Sequence, residues 1–339
     1  MIDPRLQTLR VLREKGTVTA TAEALHLTPS TVSQQLRRLS AQLGVALLEP
    51  VGRRVRLTTA AVTLLGHADA LNALWERAAA DLAAHRDGEA GQLRISGVAT
   101  ALAAVIAPAA EKLRRRHPQL TLHLTEDAGE NRFELLLARQ TDIAVVIPTP
   151  TGPPPDDPRF EQRPLLEEPQ DLLVPAGHPF ADRDGVELAE AASETWIRAG
   201  DPHDQHQLLL TTCAAAGFTP RVAHNAVDWS AIASLVAHGF GVCLVPRLAP
   251  VPQHYSVTRV RLRGEPAPAR RLIACVRRGS DRQAPVARGL AALQEAAAQW
   301  AARGRLPLGN VGPDPVGTAD MPDPGLSGQG PLTSAGDRR

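Results

Sequence analysis

Several classes of function lack their usual marks in this chain. Its 339 residues hold 37 Lys or Arg against 36 Asp or Glu, a net charge of +1, too small for a general nucleic-acid binder recognised by bulk charge. No run of 18 apolar residues occurs, so no membrane-spanning helix is expected. The start, MIDPRLQTLRVL, lacks the basic-then-apolar pattern of an export signal, which makes the cytoplasm the expected location. Three cysteines, Cys213, Cys243 and Cys275, are odd in number and unpaired in spacing, so reduced thiols are expected and no metal site. His203 and His206 form an i, i+3 pair with no third ligand nearby. There is no P-loop, G-x-S-x-G, H-E-x-x-H, or G-x-G-x-x-G after a strand, so no catalytic residue is nominated.

The charge that is present is unevenly placed. Residues 1–59 carry nine Lys or Arg and four Asp or Glu, an excess of five positive charges, whereas residues 60–89 carry an excess of three negative ones. Within the basic segment, TVTATAEALHLTPSTVSQQLRRLSAQL (17–43) reads as two helices and a tight turn. Thr17 suits an N-cap, and Val18, Ala22 and Leu25 share a face. His26 and Leu27 form the turn. Thr28 caps the second helix, and Pro29 suits its first position. Val32, Leu36, Leu39 and Leu43 then make one apolar stripe. Opposite lie Ser30, Gln34, Arg37 and Arg38, with Ser33 flanking: hydroxyl, amide and guanidinium groups of the kind that bond base edges and phosphates. An ordinary helical hairpin with a solvated face gives a similar pattern. Next, Val45–Leu48 and Val55–Leu57 read as short strands around Gly52-Arg53-Arg54. Arg53, Arg54 and Arg56 at such a tip suit phosphates or a narrow minor groove. The unit reads as a winged helix-turn-helix.

From Thr58 the pattern becomes one long helix. Leu64, Ala68, Leu71, Trp75, Ala78 and Leu82 alternate spacings of four and three, a seam of about three heptads. A second copy of the chain is its simplest partner, and a helix packed on its own domain is the alternative. Residues 92–147 then give a βαβαβ order and imply a parallel sheet. A second series follows, with strands at Leu172–Val174, Trp196–Arg198, Arg221–His224, Val242–Val245 and Arg271–Val276, helices at Asp204–Ala216 and Ser230–Ala237, and a closing helix at Val286–Ala302. Two α/β lobes imply a cleft for a small ligand.

Residues 2–66 resemble the DNA-binding domain of LysR-type transcriptional regulators. The resemblance rests on L-x-x-L at Leu6–Leu9, GTVTATAEAL at Gly16–Leu25, TPSTVSQQLRRL, LGVALL and GRRVRLT. It implies recognition contacts at Thr28, Pro29, Ser30, Ser33, Gln34 and Arg37, and wing contacts at Arg53, Arg54 and Arg56. Departures from the family pattern are Leu48 for Phe, Pro50 for Arg, Ala61 for Gly, and Gln34 where Arg is more frequent. The resemblance continues to about residue 302 through QLRISGVATALAAVIAPAAEKLRRRHPQLTL, DIAVVI, LLVPAGHPFA and LVAHGFGVCLVPRLA, with residues 180–235 matching loosely. It implies a periplasmic-binding-protein-like effector domain, dimerisation through the long helix and double-stranded operator DNA as partner, with a homodimer or homotetramer as the assembly. By family position, the cleft is walled by Val98, Ala99 and Thr100 from one lobe. Arg198, Asp228, Trp229 and Val245 come from the other.

The expected architecture is therefore multidomain: a mostly α winged helix-turn-helix over 1–59, a linker and dimerisation helix over 60–88, and a two-lobed α/β effector domain over 92–302. A tail over 306–339, with 13 Pro or Gly in 34 residues, is expected to be disordered. The expected function is a bacterial transcription regulator gated by an unidentified small-molecule effector, with no other cofactor. An α/β enzyme with an accessory DNA-binding head is the alternative. A transport solute-binding protein is opposed by the missing export signal and by the N-terminal domain.

Overall fold

The computed structural model describes residues 3–51, 54–83, 91–126, 132–150, 152–200, 205–264 and 267–303. The expected tail lies outside the described residues.

Three helices open the chain: α1 (Pro4–Lys15), α2 (Val18–Ala24) and α3 (Pro29–Leu43). Local chemistry sets their ends. The Thr17 hydroxyl accepts the Ala20 N–H at 3.2 Å, and the Thr28 hydroxyl accepts the Thr31 N–H at 3.2 Å, each satisfying an otherwise orphaned donor. His26 takes φ 53° in the turn between them, and Gly44 ends α3 at φ 68°. Leu9, Leu12, Ala22, Val32, Leu36, Leu39 and Leu47 form the core of this unit. Leu43, expected on the buried stripe, is 43% exposed, because the last turn of α3 overhangs that core.

The hairpin β1 (Leu48–Val51) and β2 (Arg54–Leu57) pairs antiparallel, with Leu48 opposite Leu57. Its first strand was expected at Val45–Leu48. It starts later because Leu47 turns fully inward while Val45 stays exposed. Helix α4 (Thr59–Ala83) follows at once, with the Thr58 hydroxyl accepting the Ala61 N–H at 3.2 Å. Its 25 residues span about 37 Å.

The first lobe contains β3 (Gly91–Gly97), α5 (Ala99–Ala101), a π-helical stretch over Leu102–Ile106, α6 (Ala107–Arg116), β4 (Leu120–Glu126), α7 (Arg132–Leu137) and β5 (Ile143–Val146). Pro108 sits in the first turn of α6 and has no N–H to donate, and the turn before it widens into the π stretch. Strand β3 pairs parallel with both β4 and β5, as the βαβαβ reading expects.

The long strand β6 (Phe160–Pro175) comes next, followed by β7 (Val186–Glu187), β8 (Thr195–Ala199), α8 (Gln205–Ala215), β9 (Arg221–Ala226), α9 (Trp229–Ala237), β10 (Cys243–Pro246), β11 (Val257–Arg263), β12 (Ala269–Arg277) and α10 (Ala284–Arg303). The strand order is β4-β3-β5-β12-β6-β11-β7, with β10 also on β6. Strands β8 and β9 pair parallel, and a Trp196–Val242 bridge attaches them beside β10.

Strand β6 joins the lobes. Its first half pairs with β12 up to Glu168 and Pro169, opposite Arg270 and Ala269, and its second half pairs with β10 and β11. Only its end, Leu172–Val174, was expected as a strand. The segment FEQRPLLEEPQD is polar and holds two prolines, so it lacks an apolar period. Strand β11 was not expected either, although Val260 and Leu262 point inward at period two. Separate cores fill the lobes, one around Leu93, Ile95, Ile106 and Leu293, others around Trp196 and around Trp229.

Candidate nucleic-acid interface and effector cleft

The caps and the core orient α3 so that its polar face looks outward. Val32, Leu36 and Leu39 are buried, whereas Thr28, Pro29, Ser30, Gln34, Arg37 and Arg38 are exposed and Ser33 is half-buried. The Thr28 and Ser30 hydroxyls lie 2.8 Å apart. Arg37 donates only to the Ser33 carbonyl, at 3.3 Å. Neither Arg37 nor Arg38 forms an ion pair among the described residues, so two guanidinium groups are free to meet anionic oxygen. On the wing, Arg56 is exposed and pairs with Glu49 at 2.7 Å, an exposed contact of small energy. Arg54 opens β2. Arg53 lies outside the described residues.

The α4 stripe divides along its length. Ala68 is buried within the chain, and Leu64 packs against the core of the N-terminal unit. Ala78 is half-buried. Leu71, Trp75 and Leu82 are 55%, 49% and 65% exposed, and Leu74 beside them is 57% exposed. The opposite face carries buried acids. Asp69 meets Arg10 of α1, and Glu76 meets Arg277 of β12 at 3.1 Å and Arg139 at 2.7 Å. Two further pairs tie α1 to the first lobe, Lys15–Glu134 at 3.2 Å and Arg159–Glu14 at 3.0 Å. These tethers between domains join residues far apart in sequence, and no local pattern announces them.

Where the lobes meet, the turn after β3 is held tightly. A Cβ on Gly97 would stand 2.6 Å from the Ile106 side chain and 3.2 Å from the Val145 carbonyl oxygen, so the backbone approach requires glycine. Val98 precedes α5, Ala99 is exposed and Thr100 is buried. The Thr100 hydroxyl is already engaged: it accepts from the Arg270 guanidinium at 2.7 Å. Arg270 also donates to Glu168 at 2.6 Å and to the Gln205 amide oxygen at 3.4 Å. Gln205 in turn donates to Gln170 at 3.0 Å and to the Leu244 carbonyl at 3.2 Å. The Leu248 N–H donates to Glu168 at 2.6 Å. Burial pushes the Glu168 carboxyl above its ordinary value, and the Arg270 charge opposes that. Arg270, Glu168, Gln170 and Gln205 were not among the sequence candidates. The signal was faint: polar residues at the crossover of two strands, unreadable before the strands themselves were known.

The remaining cleft candidates divide. Val245 is fully buried in β10, and Trp229 packs in the second-lobe core. Asp228 caps α9, its carboxylate accepting the Ala231 N–H at 2.9 Å. Arg198 is half-buried and makes no hydrogen bond or ion pair among the described residues. It lies near His206, whose basicity is lowered first by burial and then by the Arg198 charge. The His206 Nδ1 is buried without a partner. His203 lies outside the described residues.

Comparison with known proteins fits this geometry. The family model described as bacterial regulatory helix-turn-helix protein, lysR family, matches residues 4–62, and the one described as LysR substrate binding domain matches residues 86–298. A probable hydrogen peroxide-inducible genes activator of Mycobacterium avium is 30% identical over 281 residues, covering 82% of this chain and 88% of the relative. Among solved structures, a cysteine mutant of OxyR from Corynebacterium glutamicum matches with TM-score 0.56 and 23% identity, over 88% of this chain and 94% of that one. Full-length CbnR complexed with its target DNA matches with TM-score 0.52 and 22% identity, over 88% of this chain and all of that one.

Proposed function

Because the chain belongs to the LysR-type family of transcriptional regulators, we propose that it binds a two-fold operator as a dimer and that a small molecule between its lobes resets that binding. The reading head is α3, with Thr28, Pro29, Ser30, Ser33, Gln34 and Arg37 at the bases and Arg38 on the backbone. The wing arginines Arg53, Arg54 and Arg56 add phosphate or minor-groove contacts. One observation carries this assignment: Arg37 and Arg38 stand exposed and, among the described residues, without ion-pair partners on the face opposite the buried Val32, Leu36 and Leu39. The domain division that fits this reading is a reading domain over 1–59, a linker over 60–88, of which residues 84–88 lie outside the described residues, and an effector domain over 92–302. Leu71, Trp75, Ala78 and Leu82 form the pairing seam of the linker. Regulation of this kind takes place in the cytoplasm, beside the chromosome.

The effector acts at the crossover of β6 and β12. Thr100, Arg270 and Gln205 bring three segments to one buried point, so a ligand that takes any of these hydrogen bonds changes how the lobes sit. A shift in lobe arrangement changes DNA affinity only by the ligand's differential affinity for the two arrangements. Arg198, without an ion pair among the described residues, supplies a cation at the second-lobe wall for an acidic or carbonyl-bearing effector. Footprinting of the full-length protein on its own upstream region tests the assignment. A protected two-fold site, altered by a metabolite that also raises thermal stability, supports it. A footprint absent at every concentration contradicts it.

The M. avium relative is named for hydrogen peroxide-inducible genes; a thiol-based peroxide response, which requires a reactive thiolate, is disfavoured in this chain. Burial pushes the Cys213 and Cys243 thiols up to about 12 and pushes the Cys275 thiol up as well. The three belong to three different cores.

A further inference from the structure

We propose that the open cavity between α1, α4 and the first lobe is a second ligand site, built for a small anion and separate from the cleft between the lobes. The cavity has a volume of about 150 Å³, comparable to one that accepts a single benzene-sized ring. Five arginines line it: Arg10 from α1, Arg139 after α7, Arg159 before β6, and Arg277 and Arg278 at the end of β12. Three carboxylates line it with them, Asp3, Asp69 and Glu76, and Glu14, Asp157 and Asp142 reach Arg159 and Arg277 from beside the lining, so Arg278 is the lining arginine left without a carboxylate among the described residues.

The existing pairs leave part of that charge unanswered. Asp3 is occupied by Arg5, with contacts of 2.9 and 3.1 Å. The carboxylate of Glu76 serves both Arg139 and Arg277, and Arg277 also meets Asp142 at 3.4 Å. Arg278 has no carboxylate partner among the described residues and donates only to the carbonyls of Pro158, Asp157 and Phe160. Arg10 is 5% exposed, yet its Nε is buried with no acceptor at all. A buried donor without a partner is costly, and a bound anionic oxygen, or a water, would relieve it. Arg139 adds a backbone sign: apart from His26 in the helix-turn-helix turn, it is the other non-glycine at positive φ among the described residues, at 57°. Such conformations persist where the surroundings impose them.

Planar guanidinium forks match carboxylate and phosphate oxygens. Beside Gln7 and Asn72, apolar lining from Pro4, Leu6, Ala73 and Leu137 leaves room for a few carbons. The ligand class is therefore a phosphate or a short carboxylate. Because the lining comes from the reading domain, the linker helix and the sensing lobe, an occupant fixes the first against the last. By linkage, DNA and this anion change each other's affinity by one common factor.

The test titrates the full-length protein calorimetrically, at constant ionic strength in chloride, with inorganic phosphate and separately with malonate. The variants are Arg139→Gln and Arg278→Gln, whose side chains are exposed enough to change without unfolding the chain, and Thr100→Ala in the other cleft. The proposal predicts saturable binding of at least one anion, weakened about tenfold by each arginine variant and unchanged by Thr100→Ala. The anion that binds more tightly identifies the class. Binding of neither anion, or binding that survives both arginine variants, or binding lost with Thr100→Ala, overturns it.

Discussion

Arg277 at the end of β12 meets Glu76 in the middle of α4 at 3.1 Å, and both side chains are less than a tenth exposed. Two residues further on, Gly279 (φ 86°) lies so close to α4 that a Cβ there would stand 2.5 Å from the Ala73 carbonyl oxygen. The sensing lobe is thus joined to the linker helix by a buried charge pair and a backbone contact that tolerates only glycine. Removing Glu76 leaves the buried Arg277 with only the more distant Asp142, at 3.4 Å, for a carboxylate. Glu76→Ala should therefore cost about 2–3 kcal/mol, read as a lower midpoint in urea unfolding. A loss below 1 kcal/mol would show that the pair is solvated and the junction open.

Acid should weaken the first lobe through Asp142. Burial works to raise this carboxyl, but hydrogen bonds from the Arg94 side chain and backbone, with the Arg94 and Arg277 charges, outweigh it and hold the carboxyl below its ordinary value. A depressed carboxylate contributes stability that is fully present above its unfolded value, about 3.9, and is lost as pH falls through the lower folded value. Unfolding free energy measured from pH 6 downward should decline below the ordinary carboxylate range. Asp142→Asn should flatten that decline while lowering stability at neutral pH.

The thiols should be silent in the native state. Cys213, Cys243 and Cys275 are buried, and each is shifted upward by burial, so little thiolate exists near neutrality. A thiol-reactive disulfide reagent should label none of them until denaturant is added. Hydrogen peroxide should leave DNA affinity unchanged. Rapid labelling of one cysteine, or a peroxide-dependent change in affinity abolished by its replacement, would restore a redox reading.

Dimerisation should depend on the exposed part of the α4 stripe and not on its beginning. Leu71, Trp75 and Leu82 stand exposed in the single chain, whereas Ala68 is buried within it. Burying a large apolar side chain contributes about 1.5–3 kcal/mol, so Leu71→Ala combined with Trp75→Ala should weaken the dimer by at least about tenfold in sedimentation equilibrium. Unfolding of the isolated chain should change little. A dimer constant insensitive to both substitutions would place the pairing surface elsewhere.

What the sequence made legible was local. Thr17 and Thr28 cap helices, Pro29 and Gly44 bound one, and Val32, Leu36 and Leu39 are buried together, because caps and stripes act within a few residues. Leu43 failed for a tertiary reason: the neighbouring helices do not reach it. The heptad spacing on α4 runs unbroken from Leu64 to Leu82, yet Leu64 and Ala68 are used inside the chain, which period alone cannot distinguish. The crossover of β6 and β12 was invisible because its inward residues are polar. Glu168 and Arg270 satisfy each other across 102 positions of sequence, and hydrophobic patterning carries no record of such a pairing. The resemblance implies Thr100 in the cleft wall, but nothing local announces its engagement by Arg270.

Helix α3 is the proposed reading head, and fluorescence anisotropy with Arg37→Ala tests this directly. The titration uses the protein's own upstream DNA and a scrambled duplex, each at two salt concentrations. A base contact by Arg37 is worth about 1–3 kcal/mol of discrimination. The variant should therefore lose roughly 5- to 150-fold in affinity for the upstream site and much less for the scrambled duplex. Equal affinity of variant and native protein for the upstream site, at both salt concentrations, would contradict the account.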